Sequence, residues 1–269
     1  MQSSPRKRWM VTARKSCLGC GLVLVLLIPL LWIRYRTAWT ATPEVALANG
    51  RRLLSHKRVL AIAAHPDDLE WYVAGTLRRF VESGAEVEVI VASFGELGPN
   101  RNGSPDLASA RKREQTAAGE IIGYRKIRFL GLPDRGVSEG DALAKGVKDT
   151  IEEFRPDVLL TFDPDFPSLP YLHEDHQGTG RVVKRVWESL GGDRPNLWFW
   201  QSRRPDTAVD TSDVIETKVK ALSAHESQGL GQGATCARGF NSRTGEYVGA
   251  AFAESFRMAA PVNGESSGQ

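Results

Sequence analysis

Two short runs of the chain combine histidine with aspartate in patterns that can do chemistry. His65-Pro66-Asp67-Asp68-Leu69-Glu70 sets one imidazole beside two adjacent carboxylates. Neighbouring carboxylates point in different directions, so one can bind a metal ion while the other stays free as a base, the division of labour that a hydrolytic metal site needs. The second run, Pro170 to Gly180, contains His173, Asp175 and His176. Five histidines occur in the whole chain, and three of them fall in these runs beside carboxylates. Alone, His-Pro-Asp-Asp could equally be a turn in which proline sets φ and an aspartate caps the next helix. The second run makes chance placement hard to maintain, and a His, Asp, His set with an open fourth position is what zinc takes in catalytic sites.

Positioning such residues falls to the elements before and after them. Residues 58–65 (RVLAIAAH) read as a buried strand, 69–83 as a helix ended by Gly84, 86–93 as a second strand, and the Gly/Pro/Asn-rich stretch 95–105 as a loop. Helical spacing follows over 107–122, a strand over 126–132, a helix over 142–154 and a buried strand over 157–162. This βα alternation predicts a Rossmann-like three-layer αβα domain with a mostly parallel sheet. Both His/Asp runs then follow the carboxyl ends of buried strands, where open α/β sheets bind ligands. Less regular patterns predict a helix over 176–189, strands over 197–201 and 207–211, and a helix over 213–224. The first strand leads into His-Pro-Asp-Asp and not into a Gly-rich turn, so a dinucleotide would lack its phosphate cradle.

The two motifs resemble those of the PIG-L/LmbE-like family of zinc-dependent N-acetylglucosaminyl deacetylases. The similarity runs from about Val59 to Gln228. His-Pro-Asp-Asp-Leu-Glu matches the family signature, and Tyr171, His173, Glu174, Asp175 and His176 match its second motif, with Glu174 where proline is usual. Weaker matches are Arg111 with Glu114, LGLPDRG at 130–136, and Lys218, His225, Ser227 and Gln228. The resemblance implies that His65, Asp68 and His176 hold Zn2+ and that Asp67 is the general base toward water. It also implies that the Tyr171 hydroxyl steadies the oxyanion. His173, oriented or kept protonated by Asp175, is placed to protonate the leaving amine or steady the oxyanion, and either Asp67 or His173 could deliver the final proton. Arg111 could contact a sugar hydroxyl or phosphate, or simply face solvent from its helix. Glu70 could support a metal-bound histidine or be a first-turn carboxylate; His225 could close a surface helix or touch substrate. Trp198 and Trp200 read as core, although tryptophan faces also stack on sugars.

The rest of the chain sets its context. Of 269 residues, 41% are hydrophobic and 25% charged, enough for one substantial core. The net charge of +3 is small and five basic residues lie in the first fifteen, so charge gives nucleic-acid binding no support. Cys17 and Cys20 sit in an apolar run without further Cys/His nearby, which leaves Cys236 and no disulfide framework. Residues 16–33 carry no charge, and the run ends in Leu31, Trp32, Ile33 and Arg34 without a small-residue cleavage site. The expected organisation is therefore a basic cytoplasmic N-terminus (1–15), a transmembrane signal anchor (16–36), a tether (37–56), the zinc deacetylase domain (57–258) and a disordered tail (259–269). The excess of basic residues before the anchor sends the domain to the extracytoplasmic side of a single-pass membrane protein. The expected substrate is an N-acetylglucosamine-containing lipid or glycoconjugate. Alternatives are an amidase that cleaves a larger sugar-linked amide, or a glycan-binding module without turnover.

Overall fold

The structure is a computed structural model that describes residues 36–168, 173–192 and 194–260. The chain divides after Thr37, and everything below belongs to the second unit, which begins at Ala38. The expected anchor, the basic N-terminus and nearly all of the expected tail lie outside the described residues. Among the described residues no helix is long and apolar enough to cross a membrane.

Seven strands form one sheet: β1 (Arg58–Ala63), β2 (Glu86–Ser93), β3 (Lys126–Leu132), β4 (Val158–Phe162), β5 (Asn196–Trp200), β6 (Thr207–Asp210) and β7 (Ala253–Met258). Their order is β3-β2-β1-β4-β5-β7-β6. The first five are parallel, with Val59 opposite both Val87 and Val158, whereas β7 runs antiparallel to both β5 and β6. Strand β1 is flanked by its successor on one side and by β4 on the other, so a crevice opens beyond the carboxyl ends of β1 and β4.

Strands buried on both faces read as continuous apolar runs, and β1 follows that rule. Val59, Ala61 and Ala63 face one core while Leu60 and Ile62 face the other. The first core is closed by helices α1 (Pro43–Leu54), α2 (Asp68–Tyr72), α3 (Ala74–Glu82), α4 (Leu107–Ile122) and α7 (Ile215–Ser223), and the second by α5 (Ala142–Phe154) and α6 (Glu174–Glu188). This is the predicted three-layer arrangement, with the antiparallel edge β7-β6 added.

Three local features go beyond the sequence pattern. The segment expected as a tether contains α1, which Thr42 caps and Pro43 opens, and which buries Ala46, Gly50 and Leu53. Gly50 is required there, because a Cβ would lie 1.9 Å from the Ala208 carbonyl oxygen. The single helix expected over 69–83 breaks at Val73 (φ −138°, ψ 3°) into α2 and α3. The break frees the amides of Gly75 and Thr76, which donate to the buried Glu254 carboxylate at 3.0 and 2.7 Å. Beyond Gly229, where the chain is rich in Gly and Ser, α8 (Leu230–Gly233) and α9 (Cys236–Val248) pack Ala234 and Ala237 against Leu222 and Trp71.

Candidate active site

The two His/Asp runs meet in the crevice between β1 and β4. His65 follows β1, and its ring lies 5.0 Å from that of His173 and 5.5 Å from that of His176, centroid to centroid. His176, in the first turn of α6, stacks on Phe162 at the end of β4 with centroids 4.2 Å apart and planes 9° from parallel. Asp68 joins the two runs: one carboxylate oxygen is 3.1 Å from His176 Nε2, and the other accepts from the backbone amides of Ala64 and His65 at 3.1 and 2.8 Å. That second oxygen is 3.7 Å from His65 Nδ1.

Asp67 is built differently from its neighbour. It stands before the first turn of α2 with φ +90° and ψ −24°, and its side chain makes no capping bond, which removes the simple turn-and-cap explanation. A non-glycine residue there costs about 1–3 kcal/mol and persists where its surroundings over-determine it. The Asp67 amide donates to Gln115 Oε1 at 3.0 Å, and its carboxylate lies 3.3 Å from Arg111 Nη2. Burial, opposed by Arg111 and reinforced by the charge of Asp68, pushes the Asp67 carboxyl up to about 6. Burial also pushes Asp68 up, but the His176 and His65 contacts prevail and hold it at about 2. One carboxylate is thus committed to the histidines while the other is held above the usual carboxylate range by its burial.

Behind His65 lies a pair of carboxylates that spacing did not assign there. His65 Nε2 is 3.2 Å from Asp134 and 3.1 Å from Asp175. Burial alone would lower the imidazole's pKa, yet hydrogen bonds to Asp134 and Asp175 push it up to about 10. The Asp175 carboxylate also accepts from the Arg135 amide at 2.7 Å. The expectation that Asp175 orients or protonates His173 is therefore corrected: its side chain serves His65, and only its backbone amide reaches His173 Nδ1, at 3.3 Å. Burial, followed by repulsion from His176 and His65, lowers the pKa of His173, which is exposed. Tyr171 lies outside the described residues.

Arg111 is 4% exposed and does not present a solvated helix face. Its Nη1 donates to the Gly95 carbonyl at 2.8 Å and its Nη2 to the Pro66 carbonyl at 2.6 Å, so it braces the first loop where a substrate contact was expected. Gly95 (φ +66°) makes room, because a Cβ would lie 2.2 Å from Arg111 Nη1. Glu70, in the first turn of α2, and His225 are fully buried and contact each other at 3.2 Å, so His225 does not finish a surface helix. Trp198 and Trp200 are buried core residues.

Sequence reasoning missed Gln115 and Tyr124, whose hydroxyl donates to Glu70 at 3.0 Å, and left Asp134 without a role inside the LGLPDRG match. Asp134 could have been found in the Pro-Asp turn after the third strand, and Gln115 from its place four residues after Arg111 on one helix face.

The donor set fits a divalent cation. Donor atoms of His65, His173 and His176 all lie within 4.8 Å of one another. Four carboxylates, Asp67, Asp68, Asp134 and Asp175, crowd the same buried region, an anionic cluster that a cation would offset. Histidine and aspartate donors gathered at the switch point of a parallel sheet define a metal-dependent hydrolase as the class of protein.

Comparison with known proteins gives the particular family. Residues 60–187 match the family described as PIG-L: GlcNAc-PI de-N-acetylase. A diacetylchitobiose deacetylase of Thermococcus kodakarensis is 30% identical over 190 residues, which cover 64% of this chain and 70% of that protein. A probable N-acetyl-alpha-D-glucosaminyl L-malate deacetylase 2 of Bacillus cereus is 29% identical, over 64% of this chain and 84% of the relative. The solved N,N′-diacetylchitobiose deacetylase of Pyrococcus horikoshii shares the fold, with a TM-score of 0.70 and 24% identity over 81% of this chain and 88% of that one. The chain belongs to the PIG-L deacetylase family and is an amide hydrolase of that kind.

Proposed function

We propose that the protein is a zinc-dependent deacetylase that removes the N-acetyl group from an N-acetylglucosamine-containing lipid or glycoconjugate. The observation that carries this reading is the meeting of both His/Asp runs in one buried cluster, with Asp67 left uncommitted beside a committed Asp68. The acceptor class is drawn from the relatives, which are named as acting on diacetylchitobiose, N-acetylglucosaminyl malate and an inositol-linked acetamido sugar.

In this reading His65, Asp68 and His176 hold the cation. When bound, it supplies Lewis acidity, which lowers the pKa of water and polarises a carbonyl oxygen. The chain's own residues do the rest. Asp134 and Asp175 accept the Nε2 proton of His65, fixing its tautomer and turning Nδ1 toward the cluster. Phe162 holds the His176 ring in plane. The Asp67 carboxylate, with a pKa near that of a working base, takes a proton from the attacking water. His173, open to solvent at the crevice, steadies the oxyanion or delivers a proton to the departing amine, with the Tyr171 hydroxyl assigned to the oxyanion by family resemblance.

The apolar N-terminal run is proposed as a single-pass anchor with the catalytic domain on the extracytoplasmic side, which would bring the site to envelope glycans or glycolipids. The test is release of acetate by the zinc-loaded full chain from N-acetylglucosamine, diacetylchitobiose and inositol- or lipid-linked N-acetylglucosamine. Acetate from any of these supports the deacetylase, and their ranking names the acceptor. Turnover confined to longer acyl amides would make it an amidase, and zinc binding without turnover a glycan-binding module.

A further inference from the structure

The peptide unit joining Pro66 to Asp67 is held at both ends by one face of α4. Its carbonyl oxygen accepts from Arg111 Nη2 at 2.6 Å, and its N–H donates to Gln115 Oε1 at 3.0 Å. Arg111 and Gln115 are four residues apart, so their side chains lie over one another along the helix. The direction of the Gln115 amide is itself fixed: its Nε2 donates to both oxygens of Glu70 at 3.1 Å, which leaves Oε1 to face Asp67. Glu70 is held in turn by the Tyr124 hydroxyl at 3.0 Å and by His225 Nε2 at 3.2 Å. Gln115, Glu70 and His225 are all fully buried.

We infer that Gln115 is a positioning residue that, with Arg111, clamps the Pro66–Asp67 peptide and thereby sets the direction of the Asp67 carboxylate. Rotating that peptide plane would carry Asp67 out of its left-handed conformation, and the clamp opposes the rotation from both ends. Glu70 decides which end of the amide faces the peptide, so three buried side chains act on the base without touching substrate. The inference rests on the deacetylase reading only for its effect on rate; the clamp itself is read from the backbone.

The experiment compares Q115M, which keeps size and helix propensity but has no amide, with the E70Q/Q115E exchange, which returns an acceptor to the Asp67 amide and a donor to the other side. All proteins are full chains loaded with zinc. Q115M should lower kcat at least tenfold with KM and bound zinc unchanged, and should speed hydrogen exchange at the Asp67 amide at least a hundredfold without a matching rise elsewhere. E70Q/Q115E should recover most of both losses, whereas E70Q and Q115E singly should not. Unchanged kcat and exchange in Q115M, or no recovery in the exchange pair, would overturn the clamp. If Q115M does not fold, Q115E against the pair decides the matter. An inactive parent would defeat the deacetylase reading instead, and exchange at Asp67 would still judge the clamp.

Discussion

The described residues after β1 and after β4 are held to different degrees. After β1, every polar group near the chemistry is pinned: the Pro66–Asp67 peptide by Arg111 and Gln115, the Asp68 carboxylate by two backbone amides, and His65 by two further carboxylates. After β4, the described residues are fastened on either side of His173. Asp163 and Asp165 accept from Arg257 at 2.6–2.9 Å, and the Asp175 carboxylate is tied to the Arg135 amide, while His173 stands exposed. Asp67, the proposed base, and two of the three proposed cation ligands sit on the braced first loop. His176 is buried at the start of α6, and His173 beside it is the exposed member of the site.

Substitutions can break this contrast. Asp67→Asn should have the largest effect, lowering kcat by about a thousandfold, the scale of a lost general base, while bound metal stays constant. Loss of metal together with activity would move Asp67 into the ligand set. His173→Gln, at the exposed position of the site, should lower kcat by about a hundredfold, because one proton-handling group is lost while the base remains. A change in KM alone would make His173 a binding group. Arg257→Met releases the start of the second loop and should lower kcat/KM by about tenfold through misplacement of His173, with zinc affinity unchanged because His176 keeps its contact with Asp68 and its stacking on Phe162.

The smallest effect is on the pH profile. Asp67 must be ionised to take a proton, so kcat/KM should fall as the pH drops through its pKa. Burial and Asp68 hold that pKa at about 6, and a bound cation would lower it, so the acid limb should lie at or below about pH 6. Arg111 opposes the upward shift, so Arg111→Met should move the limb to higher pH. A limb that stays put would assign it to another group.

Much of this arrangement was legible because it is local. Apolar runs bounded by turn residues marked β1, β2 and β4, and strand ends marked where His65 and His176 must meet. What escaped depends on contacts made far along the chain. The break at Val73 exists because Glu254, some 180 residues later, takes the amides it frees at Gly75 and Thr76. The helices after Gly229 form because Ala234 and Ala237 find Leu222 and Trp71, which composition could not foresee. Asp175 turned from His173 to His65 for the same reason: adjacency in sequence favoured one histidine, and burial favoured the other.

The most direct measurement is acetate release from diacetylchitobiose by the metal-free full chain as zinc is added in steps. The account predicts no activity without divalent cation and a rise that saturates near one zinc per chain. Full activity in the metal-free chain, or saturation with zinc without acetate from any N-acetylated amino sugar, would contradict it.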